Sequence, residues 1–203
     1  MKKILIYLAT TLLVITGFAQ QTNNLSSDEK NAILYMREEE KLARDVYDSL
    51  YVKWDVNPFN NIRKSEQVHM DEMKLLITTY NLQDPVEANN NKHGVFTNIL
   101  LQKYYSELVT TGSLSLIEAL KAGAKIEELD ISDLDIRIAQ TNNKDIIASY
   151  NYLKMASKNH LRAFVRNLKM QGINYEPIIL SKAAFKAIIK AETNGGGCCK
   201  GQN

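Results

Sequence analysis

Cysteine, proline and strand-like alternation are nearly missing from this sequence. The only cysteines, Cys198 and Cys199, are neighbours in the terminal stretch NGGGCCKGQN, where they close almost no loop. That excludes a disulfide framework, and with it a rubredoxin-like four-cysteine iron site. Proline stands only at positions 58, 85 and 176, which leaves the stretches between free to be continuous helix. No alternating apolar–polar segment reaches useful strand length, so no sheet is expected. No internal repeat is present.

Residues 1–19 form a separate unit. Lys2 and Lys3 precede the apolar run ILIYLATTLLVITGFA, which ends in small residues before Gln20. A basic start, an apolar core and a small-residue end are the order of a secretory signal, with cleavage expected after Ala19. An uncleaved membrane anchor is the alternative. No later run is apolar enough to span a bilayer, so the expected mature chain is soluble and secreted or periplasmic. Losing Lys2 and Lys3 takes Lys plus Arg from 25 to 23, against 23 Asp plus Glu. A balanced chain gives no electrostatic reason for nucleic acid or an anionic membrane surface as partner. About 180 remaining residues suit one compact domain.

Helix signals fill that domain. Ser26 with Glu29 makes a capping box before a long helix reaching Trp54. Asn57 as N-cap and Pro58 as first helical residue start a second, running to about Tyr80. NLQDPVEANNNKHG reads as loop, and VFTNILLQKYYSELVT as a shorter helix closed by Gly112. Ser115 with Glu118 opens a third long helix to about Gln140, and a fourth runs from about Lys144 to Met170 with Gly172 as its stop. Ser181 caps a last short helix, KAAFKAIIKAE. The expected fold is all-α: a four-helix bundle over residues 26–172 whose second and third helices are joined by a long crossover carrying a short helix. A C-terminal short helix within 173–192 and a disordered glycine–cysteine tail at 193–203 complete it.

Following each long helix at spacings of three and four gives its inward stripe. The first reads Ile33, Met36, Glu40, Ala43, Tyr47, Leu50, Trp54, and the second Phe59, Ile62, Glu66, His69, Met73, Leu76, Tyr80. The third reads Leu116, Leu120, Gly123, Glu127, Asp130, Leu134, and the fourth Ile146, Tyr150, Leu153, Ser157, His160, Phe164. Each is apolar at both ends and polar in the middle. Buried carboxylates and imidazoles need compensation, because an unpaired buried charge is prohibitively unfavourable. Either they neutralise one another or a cation lies among them, and carboxylate with neutral imidazole suits iron, manganese or zinc. Within REEEK, Glu38 and Glu39 read as a solvated face and Glu40 as inward. Phase favours Glu127 over Glu128, and leaves Asp130 open between the centre and the surface. His160 alone is open between core histidine and ligand, His93 reads as exposed, and Tyr47 and Tyr150 read as core tyrosines bonded to the polar centre.

EKLARDVY (Glu40–Tyr47), SEQVHM, GAKIEELDISDL and SKNHLRAF together resemble the ferritin-like superfamily of two-metal carboxylate bundles. The likeness is to its rubrerythrin-related branch and to an uncharacterised bacterial and archaeal family within it, over residues 30–170. The resemblance implies Glu40 and Glu127 as single carboxylate ligands and Glu66 with His69 as a paired half-site. His160 would complete the second half, where Ser157 stands in place of the superfamily's glutamate and Asp130 would compensate. It implies two iron ions, or one if that half is incomplete, with manganese or zinc as alternatives. The implied activity is that of a di-iron oxidoreductase or peroxidase-like protein acting on oxygen or peroxide. Tyr47 would donate a proton or electron, a separate protein would donate electrons, and a homodimer is compatible with it. The competing expectations are a non-catalytic exported metal-binding protein, helped by Cys198 and Cys199, and a structural bundle with a degenerate site.

Overall fold

The computed structural model describes residues 25–191; the signal-like segment 1–19 and the cysteine tail 193–203 lie outside the described residues. Among the described residues the chain is all-α, with seven helices and no strand. They are α1 (Ser27–Trp54), α2 (Asn57–Thr79), α3 (Pro85–Ala88), α4 (Ile99–Gly112), α5 (Leu116–Ala139), α6 (Lys144–Met170) and α7 (Lys182–Ala191).

Capping chemistry sets most of these boundaries. Ser26 Oγ accepts from the Glu29 N–H at 3.2 Å, and the Glu29 carboxylate accepts in return from the Ser26 N–H at 2.8 Å. Asp55 closes α1 in the left-handed region (φ 48°), its N–H donating to Tyr51 O. Asn98, Ser115 and Asn143 cap α4, α5 and α6 through side-chain oxygens, and Ser181 does the same for α7. Three boundaries differ from expectation, the first being that of α4, which starts at Ile99 behind its Asn98 cap and not at Val95. Val56, not Asn57, is the cap of α2, and no side chain accepts there. Pro58 therefore falls one residue deeper, still in the first turn where its missing N–H is not needed. The stretch read as loop holds the single-turn α3, because Asp84 accepts from the Val86 N–H at 2.8 Å ahead of Pro85.

The long helices pack as a helical bundle: α1 lies along α2 and α5 along α6, while α2 meets α6 and α1 meets α5. The short α4 lies against α1 and α5. Two apolar clusters form the core. One gathers Tyr47, Leu50, Phe59, Leu120, Leu161 and Phe164; the other gathers Ile33, Met36, Met73, Leu134, Ile146 and Leu153. Each fully buried large side chain contributes roughly 1.5–3 kcal/mol. On every long helix the polar mid-stripe residues fall between the two clusters, as Glu40 does between Met36 and Ala43. Gly123 permits the closest approach, since a Cβ there would lie 2.4 Å from the Phe164 ring.

Glu38 and Glu39 are buried, not solvated. The chain entering α4 crosses this side of α1, where Glu38 accepts from the N–H groups of Thr97 and Asn98. Glu39 accepts from Tyr35 Oη at 3.5 Å and is raised well above the usual carboxylate range, first by burial and then by Asp133 and Glu40.

Candidate metal centre

The polar layer brings α1, α2, α5 and α6 together through two sets of three side chains. Glu40, Glu66 and His69 form one, and Glu66, Glu127 and His160 the other; in each, one ligand-type atom per residue lies within 4.8 Å of the others. Glu66 belongs to both. Its Oε2 is 2.6 Å from His69 Nδ1, and its Oε1 is 2.9 Å from His160 Nδ1. The second carboxylate of each half meets the same ring atom: Glu40 Oε2 is 3.2 Å from His69 Nδ1, and Glu127 Oε2 is 3.4 Å from His160 Nδ1. The two imidazoles stack with centroids 5.5 Å apart and planes 23° from parallel. This near symmetry follows from spacing: Glu66 and His69 are one turn apart on α2, and α6 delivers His160 from the facing side.

Burial acts to raise Glu66, but the charge of His160 and His69 overcomes it and holds the carboxyl well below its usual range. Burial acts to lower the rings, yet Glu66 with its neighbours pushes His69 up to about 12 and His160 up to about 10. Glu40 is pushed up to about 7 by burial, against the pull of His69. Glu127 is raised as well, by burial and by Glu66, with His160 opposing. Without a metal, the layer is thus two imidazolium ions among carboxylates.

Hydrogen bonding within the layer is incomplete. Glu40 Oε1, Glu66 Oε1 and His160 Nδ1 are buried without a hydrogen-bond partner. Glu66 Oε1 and His160 Nδ1 are close but not aligned as acceptor and donor. Unsatisfied buried atoms of this kind cost about 1–3 kcal/mol each, more when charged. Carboxylate oxygens and imidazole nitrogens converging with unsatisfied atoms fit a pair of divalent ions.

The remaining predicted residues are placed as follows. Tyr47 is fully buried, and its Oη donates to Glu127 Oε1 at 2.6 Å while its ring packs on Phe59 and Phe164. Tyr150 is a core tyrosine, but its hydroxyl has no partner and does not bond to the centre. Asp130 is buried in neither set of three; it accepts from Ser157 Oγ, and its Oδ1 is unpartnered. Burial and then Glu40 and Glu39 raise Asp130 well above its usual range. Glu128 points away from the layer and accepts from Tyr175 Oη at 2.6 Å and from the N–H groups of residues 178–180.

Ser65, which the stripe passes over, touches both rings: its Oγ is 3.4 Å from His69 Nε2 and 3.1 Å from His160 Nε2. The available signal was its place four residues before His69. His93 is exposed, as read, and groups with Asp45 and Asp48. That group already has its cations, with Lys41 and Arg44 on Asp45 and Arg63 on Asp48.

A relative carries the same architecture. A protein of Methanocaldococcus jannaschii, "Uncharacterized protein MJ0754", is 48% identical over 172 residues, covering 85% of this chain and 92% of the relative. The crystal structure of hypothetical protein MJ0754 superposes with a TM-score of 0.80 at 48% identity, over 82% of this chain and 94% of that one. Residues 29–192 match the family described as "Uncharacterized protein domain (DUF2202)", a span that holds Glu40, Glu66, His69, Glu127 and His160. The chain belongs to the DUF2202 family.

Proposed function

We propose that the bundle is a ferritin-like four-helix arrangement around a two-metal carboxylate centre, with iron as the first candidate and manganese or zinc as alternatives. Glu40, His69 and one oxygen of Glu66 would hold one ion; Glu127, His160 and the other oxygen of Glu66 would hold the second. The observation that carries this reading is Glu66 itself, which presents each oxygen to a different histidine Nδ1, at 2.6 and 2.9 Å. A redox-active pair held there would supply electrons to oxygen or peroxide. Replenishment would come from a separate donor protein, since the chain has no four-cysteine site.

The chain's own groups support that chemistry. Tyr47 holds a proton on Oη beside Glu127; burial and then Glu127 raise it well above the usual phenol range. Phe59 and Phe164 pack around the Tyr47 ring and exclude water from that side. Export through residues 1–19 belongs to the same proposal. Ser157 favours the second reading, metal holding without turnover: it leaves the layer one carboxylate short of the superfamily pattern, and Asp130 is engaged by the Ser157 hydroxyl.

Anaerobic iron(II) loading followed by stopped-flow mixing with hydrogen peroxide decides between these roles. Oxidoreductase action predicts a new absorbance band and iron-dependent peroxide loss, both absent in Glu66→Ala. Tight iron uptake with no peroxide loss would leave metal holding and remove the catalytic role.

A further inference from the structure

We infer that Ser65 is a positioning residue shared by the two halves of the centre, its single hydroxyl fixing both histidines with Nδ1 turned inward. The inference concerns how the proposed ions are coupled, and its metal-binding half rests on the two-metal reading.

A histidine that ligates through one nitrogen is oriented by what its other nitrogen donates to. Here both Nδ1 atoms face carboxylates, so both Nε2–H groups point out of the layer. Both meet the same atom, Ser65 Oγ, at 3.4 Å from His69 and 3.1 Å from His160. A serine hydroxyl has two acceptor lone pairs and can receive both N–H groups at once. The rings stack 5.5 Å apart and 23° from parallel, close enough for one hydroxyl between α2 and α6 to reach both Nε2 atoms. No carboxylate or backbone carbonyl is hydrogen-bonded to either Nε2 among the described residues. Ser65 is also one turn from His69 and adjacent to Glu66, so one stretch of α2 carries the bridging carboxylate, a ligand ring and the atom that orients both rings.

Sharing has a consequence that separate acceptors would not. Loss of one hydroxyl releases both rings, so both metal positions weaken together. Removing such an outer partner lowers metal affinity by about 10–100-fold.

The test uses Ser65→Ala and Ser65→Thr beside the wild type, with zinc(II) alone as probe. Long-range imidazole 1H–15N spectra are recorded with and without zinc. In the metal-free wild type, two slowly exchanging Nε2–H signals are expected, both lost to fast exchange in Ser65→Ala and both kept in Ser65→Thr. In zinc titrations, both dissociation constants should rise about 10–100-fold in Ser65→Ala and return toward wild type in Ser65→Thr. Loss of one Nε2–H signal only, or of neither, overturns the shared role, as does weakening at a single metal position. A wild type that shows the two protected signals but takes up no zinc would remove the two-metal reading and leave Ser65 as the shared acceptor.

Discussion

Loading the centre should expel protons in a countable number. In the metal-free protein His69 is pushed up to about 12 and His160 up to about 10, so at pH 7 both rings are imidazolium. An imidazole nitrogen cannot ligate while it carries a proton, so each Nδ1 must release one. Glu40, pushed up to about 7, is half protonated at that pH and adds about half a proton more. Two ions should therefore displace at least about two and a half protons per chain at pH 7, and any proton on Glu127, which is raised as well, adds to that. By linkage, the product of the two binding constants then rises at least about 100-fold per pH unit near neutrality. Calorimetric titration with zinc(II) in buffers of different ionisation enthalpy reads the number directly, as the slope of apparent enthalpy against buffer enthalpy. A slope near zero with full metal uptake would refute the electrostatics described for this layer. It would mean that the rings and the ligating carboxylates are already free of these protons in the metal-free protein.

Glu66→Gln keeps the shape but removes the charge between the two rings. The metal-free protein should lose about 3–5 kcal/mol in denaturant titration, because two buried imidazolium ions lose their common partner. Gly123→Ala would set a Cβ 2.4 Å from the Phe164 ring and should cost about 1–3 kcal/mol, read as a lowered denaturation midpoint. The metal-free protein should also be more stable at pH 5 than at pH 9. Glu40 and both histidines bind protons more tightly folded than unfolded. Their contributions fade as pH rises, from about 4.5 to 7 for Glu40 and from about 6.5 through 10 and 12 for the rings. Glu66 acts oppositely, its contribution being lost only as pH falls below the ordinary carboxylate range. Equal stability at pH 5 and pH 9 would contradict this assignment of charge.

Local periodicity carried much of this arrangement. Glu40, Glu66, His69, Glu127 and His160 share a level because each sits mid-stripe between apolar residues, a relation visible at helical spacing. The same phase separated Glu127 from Glu128, whose partners come from the segment after α6. What the pattern could not carry is coverage by distant chain. Glu38 and Glu39 have the spacing of a wet face, but the entry to α4 crosses Glu38, and Glu39 is buried beside Tyr35 and the α5 residues Asp133 and Arg137. The short turn at Pro85 depends on one Asp84 side-chain bond, too local for a periodic signal. Ser65 escaped notice because its role depends on where α6 places His160. Tyr150 has a stripe position like that of Tyr47, but its hydroxyl ends among residues that offer it no partner.

Metal content tests the central claim most directly: mass-spectrometric metal analysis of protein purified without added metal and after anaerobic iron(II) loading, with Glu66→Ala and His160→Ala measured alongside. Two ions per loaded chain are predicted, with both lost in Glu66→Ala. In His160→Ala, the ion at Glu40 and His69 should be retained. No bound metal in the wild type after loading, or two ions still bound at wild-type affinity in Glu66→Ala, would contradict a centre built on a shared Glu66.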